Sequence, residues 1–145
     1  MLEKILEDHA RWFRTKGREG DRAMLNGVDL SLAVLKDACL VEAELMGARL
    51  MNADLRGADL RGANLQDADL SGALLQNANL EETDLMMTDF KGAQVKDTRF
   101  GGAYLHGADL SQAVDLTPAQ VDDIYADENT RFPGHFPRPP GADNA

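Results

Sequence analysis

From Leu25 to Leu110 an apolar residue stands at every fifth position. Of the 18 sites in that series 15 are leucine, and the others are Phe90, Val95 and Phe100. Two residues ahead of each site the chain is again regular, with alanine at 14 of the 18 and Val28, Thr83, Thr88 and Thr98 at the rest. The residue two beyond the site is glycine at eight of the 18. No insertion breaks the frame between Ala23 and Gln112. A five-residue period suits neither ordinary element. On an α-helix each step turns the leucine by about 140°, which scatters the series around the cylinder. On a strand an odd period sends successive leucines to opposite faces. The period predicts an all-β solenoid in which each unit lays down one straight side and then turns, with Leu and Ala inward and the other three positions outward. Alanine is small enough to lie beside leucine in a narrow interior, and glycine permits the tight corner.

The unit appears as Ala53-Asp54-Leu55-Arg56-Gly57, Ala58-Asp59-Leu60-Arg61-Gly62 and Ala63-Asn64-Leu65-Gln66-Asp67. In this form the chain resembles the pentapeptide-repeat proteins, over residues 23–112 of the 145. The resemblance implies a right-handed quadrilateral β-helix with four units, hence about 20 residues, per coil. Residues 23–112 then make about 4.5 coils, roughly 22 Å at the spacing of neighbouring strands. Leu45, Leu65, Leu85 and Leu105 fall in one ladder of the core, and Phe90 and Phe100 are the bulkiest members of the core as a whole. The core threonines need partners for their hydroxyls. The family shares a fold and no single activity, so the resemblance leaves function open.

A solenoid exposes an apolar interior and unpaired edges at both ends. Residues 1–22 supply an amphipathic capping helix and linker. Leu2, Ile5, Leu6, His9, Trp12 and Phe13 lie on one helical face, and Gly17 or Gly20 ends the helix. A partner-docking helix is the other reading of that face. The repeats occupy 23–115. Over 116–127 a second capping helix is expected, from about Pro118 to Ala126, with Thr117 and Gln120 as a capping box and Val121, Ile124 and Tyr125 turned toward the last coil. Residues 128–145 read as a Pro-rich extended tail with Phe132 and Phe136 as anchors, either on this chain or on a neighbour.

Charge and chemistry narrow the picture further. With 15 Lys+Arg against 25 Asp+Glu the net charge is −10, a poor match for direct binding to nucleic acid or anionic membrane. The single Cys39 rules out an internal disulfide and fits a reducing, cytoplasmic setting, and no apolar run is long enough to span a membrane. His9, His106 and His135 lie on separate parts of the chain without ligand spacing, and phosphate-binding or nucleophile-elbow motifs are absent. No catalytic residue, metal site or cofactor is expected, and a straight wall without long loops offers no cleft for an enzyme.

Stacking the outward positions by the 20-residue coil gives columns. Asp29, Arg49, Asp69, Asp89 and Asp109 form an acidic one, and Lys36, Arg56, Gln76 and Lys96 a basic one. A third holds Asn26, Met46, Gln66, Met86 and His106, on the face of Met24, Met87 and Tyr104, with Met51 just around the corner. Exposed methionines suit adaptable protein contacts, so Met24, Met46, Met51, Met86, Met87 and Tyr104 are the candidate interface. The first reading is therefore a bacterial scaffold or protein-interaction module with an unidentified protein partner. The resemblance also implies an alternative, since some family members mimic DNA and bind type II topoisomerases such as DNA gyrase. Residues 23–112 hold 14 Asp+Glu and 7 Lys+Arg, a net of −7. Duplex DNA of equal length carries on the order of 13 charges, so the mimicry is about half strength. A homodimer with stacked ends is a third reading.

Overall fold

Backbone hydrogen bonding explains why this sequence winds as it does. In the computed structural model, which describes residues 1–137, each repeat disposes of its N–H groups in a recurring way. Ala53 N–H closes a turn onto the Leu50 carbonyl (3.1 Å), and Asp54 donates back to Ala33 (2.9 Å). Leu55 and Gly57 donate forward to Leu74 and Gln76 (2.8 and 3.0 Å). That leaves the Arg56 N–H, which is taken by the Asp54 carboxylate. The same bond recurs at Asp59, Asn64, Asp69, Asn79 and Asp84, among others. An Asx residue ahead of the leucine thus satisfies the one donor the ladder leaves over, which is the physical reason for the repeat motif.

Parallel bridges join Met24 to Glu44, Asp29 to Arg49, Val34 to Asp54 and Cys39 to Asp59, and the pattern continues to Gln94–Val114. Each bridged residue pairs with the one 20 positions later, and four bridges fall within each 20 residues, so the chain has four walls, the first to fourth being those of Met24, Asp29, Val34 and Cys39. A wall is only a few residues long, and its pairing consists of single bridges rather than extended strands. At every corner from Gly27 to Gly107 the residue two after the leucine has positive φ, including Leu32 at 65° and Met87 at 61°. Left-handed corners of this kind are where glycine is favoured.

The interior is a stack of Ala and Leu, with Leu45, Leu65, Leu85 and Leu105 all buried. Phe90 and Phe100 meet edge to face at 6.1 Å, with the smaller Val95 on the wall between them. A large–small–large sequence around one coil keeps the volume constant. The three buried threonines pair their hydroxyls with the Leu60, Leu85 and Leu75 carbonyls at 2.9, 2.6 and 2.7 Å.

Helix α1 runs Leu2–Arg14. Its Leu2, Ile5 and Leu6 pack on the core and His9 is buried, while Phe13 is exposed. The chain leaves α1 through Lys16 and Gly17 in left-handed conformations and returns past its back at Gly20. A methyl at Gly20 would collide with the Asp8 carbonyl oxygen, so glycine there sets how closely the linker approaches the helix.

The C-terminal segment departs from the expected helix. Only Pro118–Val121 is helical, as a single 3-10 turn. Tyr125, expected on that helix, instead bridges to Tyr104, and Arg131 bridges to Asp109. The spacing lengthens from 20 to 21 and then 22 residues, so the ladder continues out of frame. Asp115 occupies the leucine slot with φ 66°, and Leu116 is buried in its place. The backbone donors of Leu105 and Leu110 need acceptors from a further coil, and the Tyr125 and Arg131 carbonyls provide them at 2.7 and 2.8 Å. Phe132 and Phe136 pack on this chain's own core, and Pro133 is buried. The rest of the expected tail, residues 138–145, lies outside the described residues.

Candidate functional site

The four walls differ in how their charges are used. On the third and fourth walls the acid is locally neutralised. Arg56 grips Asp54 through two parallel bonds of 2.8 and 2.7 Å, and Arg61 grips Asp59 likewise at 2.9 and 2.7 Å. The Arg56 hydrogen bonds hold the Asp54 carboxyl down to about 2. Burial works to raise Asp59, but Arg61 outweighs it and leaves the carboxyl below its ordinary range. The expected basic column is depleted by the same pairing. Arg56 is engaged and Gln76 donates to Gln94 (2.7 Å), leaving Lys36 and Lys96 as its cations without a salt bridge among the described residues.

The second wall is the acidic one. Asp69 and Asp109 each accept from the hydroxyl and the N–H of the serine two residues on. The Ser111 hydroxyl keeps the Asp109 carboxyl below its usual range despite burial. Asp89 lies between them on the ladder, and Arg49 and Arg131 bracket the run.

The first wall carries the candidate interface, and its members divide into two groups. Met24 and Met46 are exposed near the N-terminal end, and the coil of Asn64 and Gln66 separates them from the rest. Toward the C-terminal end Met86 is half-buried and Met87 is 59% exposed, with its sulfur lying over Gly107. Tyr104 stacks on Tyr125 at 4.8 Å and 12°, and faces His106 at 6.5 Å. Met51 sits on the second wall, beside Arg49. The fullest apolar surface is thus Met86, Met87, Tyr104 and Tyr125.

Sequence reasoning turned Tyr125 toward the last coil on a helix and so missed it as part of this surface, where it is 54% exposed, because the frame shift at Asp115 hid its alignment with Tyr104. It also passed over Leu32 and Val34, which are 74% and 76% exposed. These were visible as leucine in a corner slot and valine in an Asx slot. Beside the 3-10 turn an open recess is lined by Glu81, Asp97, Arg99, Asp122 and Asp123. Among the described residues no group of three or more His, Cys, Asp or Glu is placed to hold a metal ion, and no helix is long and apolar enough to cross a membrane.

Comparison with known proteins agrees with the ladder. The sequence profile described as pentapeptide repeats matches eight copies in overlapping stretches between residues 21 and 114. The chain belongs to the pentapeptide-repeat family. Among solved structures it is similar to a pentapeptide repeat protein from Nostoc PCC 7120, at 27% identity over 92% of this chain and 88% of that one, with a TM-score of 0.63. It is also similar to one from the Arabidopsis thaliana thylakoid lumen, at 30% identity over 70% and 79% of the two chains and a TM-score of 0.52. The plasmid-mediated fluoroquinolone resistance protein QnrB1 shares the fold at 24% identity, over 90% of this chain and 67% of its own, with a TM-score of 0.63. No curated protein sequence matches the chain.

Proposed function

We propose that the chain is a non-enzymatic, cytoplasmic bacterial module that binds another protein through its first wall, without cofactor or metal. The reading takes the chain as a right-handed quadrilateral β-helix of about 4.5 coils with both ends capped. The observation that carries it is the apolar surface of Met86, Met87, Tyr104 and Tyr125, gathered on a wall whose residues are held in place by the ladder. A rigid support presenting flexible thioethers beside stacked aromatic rings suits protein contacts. Replacing Met46, Met86 and Met87 by Lys leaves the fold intact, since all three point outward, and abolishes capture of the partner from native lysate. The matching control, Lys36 and Lys96 to Met on the third wall, leaves capture unchanged. Equal capture by both variants would refute the reading.

The acidic run on the second wall favours a second reading, a DNA-mimic modulator of a type II topoisomerase. Three carboxylates about 4.8 Å apart resemble a phosphate series. Against it stand Arg49 and Arg131 at the ends of the run and the Arg56 and Arg61 pairs, which remove charge from two other walls. The likeness to QnrB1 speaks for the fold alone. Gyrase supercoiling altered by micromolar protein would favour this reading over the first, and no change would remove it.

A further inference from the structure

His9 lies fully buried where α1 meets the solenoid. Its Nδ1 accepts from the Ala23 N–H at 2.8 Å, and its Nε2 lies 2.8 Å from the Val41 carbonyl. A ring nitrogen that accepts from an N–H carries no proton, and one facing a carbonyl must carry one. The two contacts therefore select the neutral Nε2–H tautomer. Ala23 opens the first coil and Val41 closes it, so one imidazole ties the helix to both ends of that coil.

We propose that His9 is an acid-operated latch, holding α1 on the first coil while neutral and releasing it when protonated. A proton on Nδ1 turns the acceptor into a donor aimed at the Ala23 N–H, leaving two opposed donors in a buried site. It also places a charge where no carboxylate hydrogen-bonds it. The charged groups acting on the ring are Arg22, which opposes protonation, and Glu42, which favours it. Glu44 is engaged by Arg22 at 2.6 Å, and on α1 itself Asp8 pairs with Lys4 at 3.3 Å. Burial is the largest influence and keeps the His9 pKa below its ordinary 6.5, with Arg22 acting in the same direction and the Val41 carbonyl and Glu42 against it. The unfolded chain therefore takes up this proton at higher pH than the folded one. The stabilisation is complete above about 6.5 and is lost as pH falls from there toward the folded value. Release uncovers the part of the core against which Leu2, Ile5 and Leu6 pack.

Trp12 provides the readout. It is the only tryptophan, its ring lies 5.3 Å from His9, and Arg22 sits over it at 6.0 Å. On titrating the full chain from pH 8 to pH 5, its emission shifts to the red in one step with a midpoint below 6.5, while the far-ultraviolet circular dichroism of the walls is unchanged. His9→Gln, which keeps a donor and an acceptor but does not titrate, loses the step. A wild type without the step, or a variant that keeps it, overturns the proposal. Should His9→Gln already emit as released at pH 8, ring-nitrogen NMR of the wild type decides. The Nε2–H tautomer with a protonation midpoint matching the Trp12 step supports the latch, and the Nδ1–H tautomer or a separate midpoint overturns it.

Discussion

Asn79 shows what the slot before each leucine does. Its side-chain oxygen accepts the Glu81 N–H at 3.0 Å, a donor the ladder cannot serve. Asn79→Ala leaves that group to water and costs about 0.5–1.5 kcal/mol. Val34 stands in the same slot with no such oxygen, and Val34→Asn stabilises by a similar amount while removing exposed apolar surface. Urea unfolding of the two variants gives midpoints on opposite sides of the wild type; a common direction would contradict this reading of the motif. That the slot before each leucine points outward was legible from the repeat. The two-pronged Arg56–Asp54 and Arg61–Asp59 pairs were not, because a periodic pattern says which wall a side chain leaves but not which neighbour it turns to. Likewise the helical pattern from Leu2 to Phe13 marks His9 as an apolar-face residue and cannot show that both of its nitrogens are engaged.

At the scale of the element, α1 depends on one close approach. Any side chain at Gly20 meets the Asp8 carbonyl, and the residue's φ of 77° adds strain for a non-glycine. Gly20→Ala therefore lifts α1 from the first coil. Hydrogen exchange reads this as loss of protection at Ala23, whose N–H bonds to His9, while Leu55 and Leu65 remain protected; unchanged exchange at Ala23 would contradict it. The C-terminal turn depends on Gln120 instead. Its side-chain oxygen accepts from Thr117 N–H at 2.8 Å, and its amide donates to the Val95 and Thr98 carbonyls at 2.8 and 2.9 Å. Thr117, Pro118 and Gln120 signal a helix start correctly, yet the helix ends after one turn. Tyr125 and Arg131 gain ladder bonds that a longer helix would forfeit, and tertiary pairing outweighs local propensity.

For the whole molecule, a single five-residue period marks the core and the outward positions, and the four walls and their columns follow only once the resemblance to the family implies four units per coil. Legibility stops where the period stops. Beyond Gln112 two single-residue insertions restore the ladder in a new frame, and no repeat search follows a frame that changes twice within 20 residues. The first-wall surface was therefore only partly visible. Met86, Met87 and Tyr104 fall in the frame, whereas Tyr125, which completes the aromatic stack, does not. Charge behaves similarly: the net of −10 is plain from composition, but which carboxylates are locally neutralised depends on pairings such as Arg56–Asp54 and Arg61–Asp59.

The central claim is that each repeat leucine donates its N–H to the coil after its own. Scalar coupling across hydrogen bonds, measured by NMR on the isotope-labelled chain, tests this atom by atom. The account predicts couplings from the amide nitrogens of Leu55, Leu60 and Leu65 to the carbonyl carbons of Leu74, Asn79 and Asp84, where the donor–acceptor distances are all 2.8 Å. Couplings to carbonyls four residues earlier in the chain, or none at these three amides, would contradict it.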